Sequence, residues 1–217
     1  MPTALLERHP SDSFAPDALA ARRLGIAAAV VAGADLAYVI LYRTLWAQDG
    51  NPIGLATGLL GLAVSAVVAV YLLSGQREAS RIVLIGVGYE VVLALTLALA
   101  EASAANYEVV SAQVSWSAVI IVLFPFLTPA RPAVVLAASL AAAATVPLAM
   151  ALVFGVLGRR WPDGAIVASY VIPPFLCAVL AWAPTRVLAQ LSAAVQKARR
   201  LGNYELTERS RKRTRAA

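Results

Sequence analysis

A chain of 217 residues that is 60% hydrophobic and 14% charged, with a mean hydropathy of +0.75, departs from the roughly 25% charged residues of soluble domains. Its long uncharged runs match the hydrocarbon thickness of a bilayer when wound as helix, and their continuity excludes the two-residue alternation of an outer-membrane barrel. Cys177 is the only cysteine and His9 the only histidine, which excludes an intrachain disulfide or thiolate cluster and leaves any zinc or haem site to carboxylates alone; no cofactor is expected.

Residues 1–23 are polar, mixed in charge and broken by Pro2, Pro10 and Pro16, as in a short cytoplasmic lead. A cleavable signal peptide is not expected, because the next apolar run is too long for a signal core and lacks a small-residue cleavage site. That run, 24–45, follows Arg22 and Arg23 and closes near Trp46, an interfacial type of residue. The turn-like Asp49-Gly50-Asn51-Pro52 precedes a second span at 53–74. Further spans read at 82–100, 109–127, 133–157 and 165–183. The predicted fold class is all-α: a polytopic bundle of six transmembrane helices over 24–184, with a cytoplasmic exit helix. The first three and last three spans differ in Pro and Gly placement, so an inverted-repeat transporter has little support.

Basic residues in short loops resist translocation and set orientation. Fifteen of the 18 Lys and Arg residues fall on the side of the two termini, and only Arg43, Arg159 and Arg160 on the other. This predicts a multi-pass inner-membrane protein with both ends in the cytoplasm, which requires an even number of spans.

Two acids lie inside spans: Asp35 in the first and Glu90 in the third. At a helix centre an ionised Asp costs roughly 2.5–3.5 kcal/mol by insertion scales. Each therefore marks a ligand, ion or proton site, or is neutralised and hydrogen-bonded to a neighbouring helix. Gln113 completes the candidate polar site, and Tyr38, Tyr89, Ser115 and Ser117 could also partner the two acids. Gly54, Gly58, Gly61 and Ser65 recur at helical spacing on one face of the second span, where small side chains admit close helix packing, within the bundle or against a second copy. Pro125, Pro147, Pro173 and Pro174 interrupt helical spans, and the Pro173–Pro174 pair is the candidate hinge.

After Pro184 the sequence changes character. Residues 185–201 read as a linker helix with Leu188, Leu191, Val195 and Ala198 in a 3-4-3 spacing, the pattern of a short coiled coil or of an amphipathic helix lying on a surface. Residues 197–215 hold eight basic and two acidic side chains, which accounts for the chain's whole net charge of +6. So placed, the tail is expected to bind anionic lipid, at about 1 kcal/mol per basic residue. Nucleic acid is not an expected partner, because interleaved aromatics and a recognisable module are missing.

The stretch Ala198-Arg-Arg-Leu-Gly-Asn-Tyr-Glu-Leu-Thr-Glu-Arg209 resembles the lead-in of bacterial serine/threonine protein kinase domains, with Gly202, Tyr204, Leu206 and Glu208 matching. In that family the lead-in forms the first strand, and a Gly-rich loop over the ATP phosphates follows. Here Ser210-Arg-Lys-Arg-Thr-Arg-Ala-Ala217 stands instead. The chain has no Gly-rich loop, strand-three lysine, H-R-D loop or D-F-G site, so it is not expected to be an enzyme. Residues 202–217 are thus expected to be a truncated kinase-like lead-in and basic tail, with a reading-frame change near Arg209 or a stand-alone ending as the alternatives. The resemblance implies the membrane anchor and sensor module of a membrane-tethered kinase, an output that would favour a homodimer. The alternative reading is a small transporter or channel using Asp35 and Glu90.

Overall fold

In lipid every backbone N–H and C=O must find its partner within the protein, which leaves helix as the available form for uninterrupted apolar runs. The computed structural model describes residues 16–45, 52–75, 78–104, 115–128 and 130–214, and among these the secondary structure is helix without strand. Six helices follow in chain order: α1 (Pro16–Leu45), α2 (Pro52–Leu73), α3 (Ala79–Ala102), α4 (Trp116–Leu127), α5 (Pro132–Met150) and α6 (Gly164–Thr214). Proline opens α1, α2 and α5, where its missing N–H would be unpaired anyway and its fixed φ suits the first turn.

Five of these helices are long and apolar enough to cross a membrane: 19–44, 52–73, 80–102, 132–156 and 164–187. The expected fourth span is the exception. Its described part, α4, has 12 residues, about 18 Å of helix against a hydrocarbon core of about 30 Å. The rest of that expected span, 109–114, lies outside the described residues, as do His9, Trp46 and Gln113.

Two further expectations bear on α6. The residues expected as a linker helix from 185 belong to it: α6 runs for 51 residues and contains Pro173, Pro174 and Pro184. A proline removes one intrahelical hydrogen bond without obliging the chain to leave helical geometry when the freed carbonyl finds another partner. The kinase-like lead-in, expected as a strand, continues this helix to Thr214. Lys, Arg, Leu and Glu in that stretch are good helix formers. α5 also departs from regularity, ending in a π-helical turn at Ala151–Val156 that places Val153 and Phe154 in the core.

α3 is the hub. It packs on α1, α2, α4 and α5, while α6 packs on α4 and α5, and α1 leans mainly on α2. Residues of α3 enter all three core clusters: Tyr89 and Leu93 with α1, α2 and α4; Ala94 with α4, α5 and α6; Ala98 and Ala102 with α5, its π-turn and α6. Ala94, Ala98 and Ala102 lie on one stripe of α3, each fully buried. Between helices in lipid the attraction is van der Waals contact, so small side chains that bring backbones together favour association.

Ala142 of α5 is fully buried at the crossing with Ala94, Ile121 and Ala178, whereas its neighbour Ala141 is exposed. Ala142→Leu is expected to destabilise the bundle by about 1–3 kcal/mol, the usual cost of overpacking. Ala141→Leu should leave thermal unfolding in detergent almost unchanged.

Candidate functional site

Asp35 and Glu90, grouped by the sequence into one polar site, occupy separate helix interfaces. Tyr89 and Glu90 are successive residues of α3 and therefore point about 100° apart. Tyr89 turns to α2, where its hydroxyl and Ser65 Oγ lie 2.9 Å apart. Glu90 turns to α5 and accepts a hydrogen bond from Ser139 Oγ at 3.2 Å, with both side chains buried. Ser139 was not singled out by the sequence. A serine among the small and apolar residues of α5 offers no signal until the facing helix is known.

Asp35 lies on the α1–α2 interface. Gly54, Gly58, Gly61 and Ser65 are all buried, and this face receives α1: a Cβ built on Gly58 would meet the Tyr38 ring at 2.8 Å, and one on Gly61 would meet Asp35 Oδ2 at 2.9 Å. The small-residue face of α2 thus serves packing within the bundle. Asp35 Oδ2 is buried without a hydrogen-bond partner. Ser65 stands beside this carboxyl, yet neither its hydroxyl nor that of Tyr89 meets Oδ2 in hydrogen-bond geometry.

The densest polar cluster centres on a residue that sequence reasoning left in a loop. Glu101 lies in the last turn of α3 and accepts hydrogen bonds from Ser115 Oγ at 3.0 Å, from the Trp116 backbone N–H at 2.8 Å, and from the Tyr170 hydroxyl of α6. Ser115, the N-cap residue of α4, does not cap with its own side chain. The Glu101 carboxylate takes that place, favourably set against the positive end of the α4 dipole. Arg159 completes the arrangement by donating to the Ser103 carbonyl at 2.7 Å and to that of Ala104 at 3.5 Å, which satisfies carbonyls left open where α3 ends. One end of the bundle is therefore tied through α3, α4, α6 and the segment before α6. The available signal was an acid at the very end of an apolar span.

Pro173 and Pro174, the candidate hinge, follow Tyr170 by one turn; Pro174 is buried and Pro173 exposed. Where the apolar part of α6 closes, Arg186 lies over the Trp182 ring at 4.4 Å, a pairing suited to the membrane boundary. Cys177 is a half-buried free thiol packed against the core. Among the described residues no group of three His, Cys, Asp or Glu side chains could hold a metal ion. Compared with known proteins, the chain matches no family, no curated protein and no solved structure.

Tyr170→Phe removes one donor to Glu101 and is expected to cost about 0.6 kcal/mol, at most about 1.7, as for other hydrogen bonds between membrane helices. Glu101→Ala strands three donors at once and should cost more, about 1–3 kcal/mol. Denaturant titration in mixed micelles measures the order; a larger loss in Tyr170→Phe than in Glu101→Ala contradicts the arrangement.

Proposed function

We propose that this chain is a membrane anchor and sensor module whose output element is α6. One observation carries the reading: α6 is a single helix from Gly164 to Thr214, with Tyr170 bonded to the Glu101 cluster near its start. The cluster resists displacement of α6 relative to α3 and α4. A stimulus that loosens it frees the helix to shift or turn, and a continuous helix transmits such a movement along its length. Pro173 and Pro174 lie between the cluster and the rest of α6, where altered hydrogen bonding permits bending.

In its fuller form the reading places six spans in the inner membrane, with α4 belonging to the fourth. Both termini are then cytoplasmic, supported by the fifteen-to-three distribution of basic residues. The basic end of α6 leaves along anionic lipid. Gly202, Tyr204, Leu206 and Glu208 support a serine/threonine protein kinase as the partner of the output, and a paired output favours a homodimer. Their helical conformation makes them the last turns of the relay in this chain.

A transport reading draws on one specific observation, the unpartnered Asp35 Oδ2 within a span. It requires flux through reconstituted protein that Asp35→Asn abolishes.

The relay is tested with a single cysteine at Gln190, an exposed position of α6 beyond its apolar part, in a Cys177→Ala background. Losing about 0.6 kcal/mol at the Glu101 cluster shifts a two-state helix by roughly threefold. Tyr170→Phe should then change the maleimide labelling rate at position 190 severalfold in nanodiscs. Equal rates with and without the Tyr170 hydroxyl contradict a relay through α6.

A further inference from the structure

The α1–α2 interface holds a carboxyl group with one oxygen that the bundle does not satisfy. Asp35 Oδ2 is buried and accepts no hydrogen bond. The absence of a side chain at Gly61 is what lets it lie there, since a Cβ at that position would stand 2.9 Å from Oδ2, 3.3 Å from Cγ and 3.4 Å from Oδ1. Ser139 and Tyr170 give Glu90 and Glu101 their donors; the corresponding hydroxyls near Asp35, Ser65 and Tyr89, bond to each other.

The surroundings of this carboxyl are aromatic on one flank. Tyr38 follows Asp35 by one helical turn and lies against Gly58, and its ring stands 5.9 Å from that of Tyr42. The other flank opens outward. Asp35 is only half-buried, its neighbours Ala34 and Leu36 are exposed, and α1 has little contact with any helix other than α2. In a span, such exposure faces acyl chains. A ligand approaching from this side must dissolve in the bilayer, and a carboxylate one turn from an aromatic ring selects positive charge.

We infer that Asp35, with the Tyr38 ring one helical turn away, forms a site for a lipophilic organic cation that reaches it laterally from the bilayer along the exposed side of α1. A small metal ion fits the same place poorly. Calcium and magnesium require about six or more oxygen ligands, and here one carboxylate stands beside two hydroxyls engaged with one another. An organic ammonium or phosphonium needs only the charge, a π face and apolar surroundings. Its binding satisfies the carboxylate electrostatically and adds contacts along the exposed side of α1. This site does not depend on the relay role of α6. Binding without any change in α6 would remove the relay and leave the site intact.

The probe is radiolabelled tetraphenylphosphonium, measured by equilibrium binding to the full chain in nanodiscs at alkaline pH. Saturable binding above empty nanodiscs is expected, lowered about tenfold or more by Asp35→Asn and severalfold by Tyr38→Leu. Glu90→Gln, which alters the α3–α5 interface, should retain the wild-type affinity. Because Asp35→Asn could itself disturb α1, a second measurement uses the wild-type chain alone: dicyclohexylcarbodiimide should modify Asp35, and the phosphonium should protect it. Absence of saturable binding, equal binding in folded Asp35→Asn, or modification of Asp35 without protection overturns the assignment.

Discussion

A carboxylate at the end of an apolar helix is costly to hold near lipid unless several donors converge on it, and Glu101 is surrounded by such donors. Its oxygens take up the first backbone N–H of α4, the hydroxyl of the residue before it, and the hydroxyl of Tyr170 in α6. The same end of α3 presents open carbonyls that Arg159 satisfies. An acid meets a helix N-terminus and a base meets a helix C-terminus, the signs that the two helix dipoles favour. The position of α4 and the start of α6 both depend on this junction.

The rest of the bundle is arranged around α3 by a different rule. Lipid offers no hydrophobic gain for bringing one apolar helix against another, so contact has to be close to be worth making. Alanine at 94, 98 and 102 of α3, together with 142 and 149 of α5 and 178 of α6, permits that closeness. α2 achieves the same against α1 with Gly58 and Gly61. The polar side chains inserted in these contacts are matched pairwise, Glu90 with Ser139 and Ser65 with Tyr89. Asp35 and Thr128 break the pattern: Oδ2 of the one lies against Gly61 and Oγ1 of the other against Gly86, each buried without a partner.

These two features sit in different parts of the molecule. Asp35 lies on the least covered helix, with 17% of its span buried, while the other end of α3 is bound into the well-covered side with α5, whose span is 50% buried. α3 connects them: Tyr89 reaches the Asp35 neighbourhood through Ser65, and Glu101 follows on the same helix. A ligand that rearranges the α1–α2–α3 contact therefore acts on the helix that also holds the start of α6.

The sequence by itself determined the membrane class, the positions of five spans and the location of positive charge, because hydropathy and charge are summed along the chain and need no knowledge of neighbours. It also marked the small-residue face of α2, since helical spacing alone places Gly54, Gly58, Gly61 and Ser65 together. What it could not supply was pairing. Asp35 and Glu90 read as one site because both are acids at similar depth, yet α3 and its neighbours assign them to different interfaces. Glu101 read as a loop residue because its partners, Trp116 and Tyr170, are 15 and 69 positions away. The course of α6 was likewise tertiary: Pro173 and Pro174 predicted an interruption of the sixth span, whereas the helix runs through them. Which donor meets which acceptor across helices is decided by packing, and packing is set by shape at crossings that no local pattern encodes.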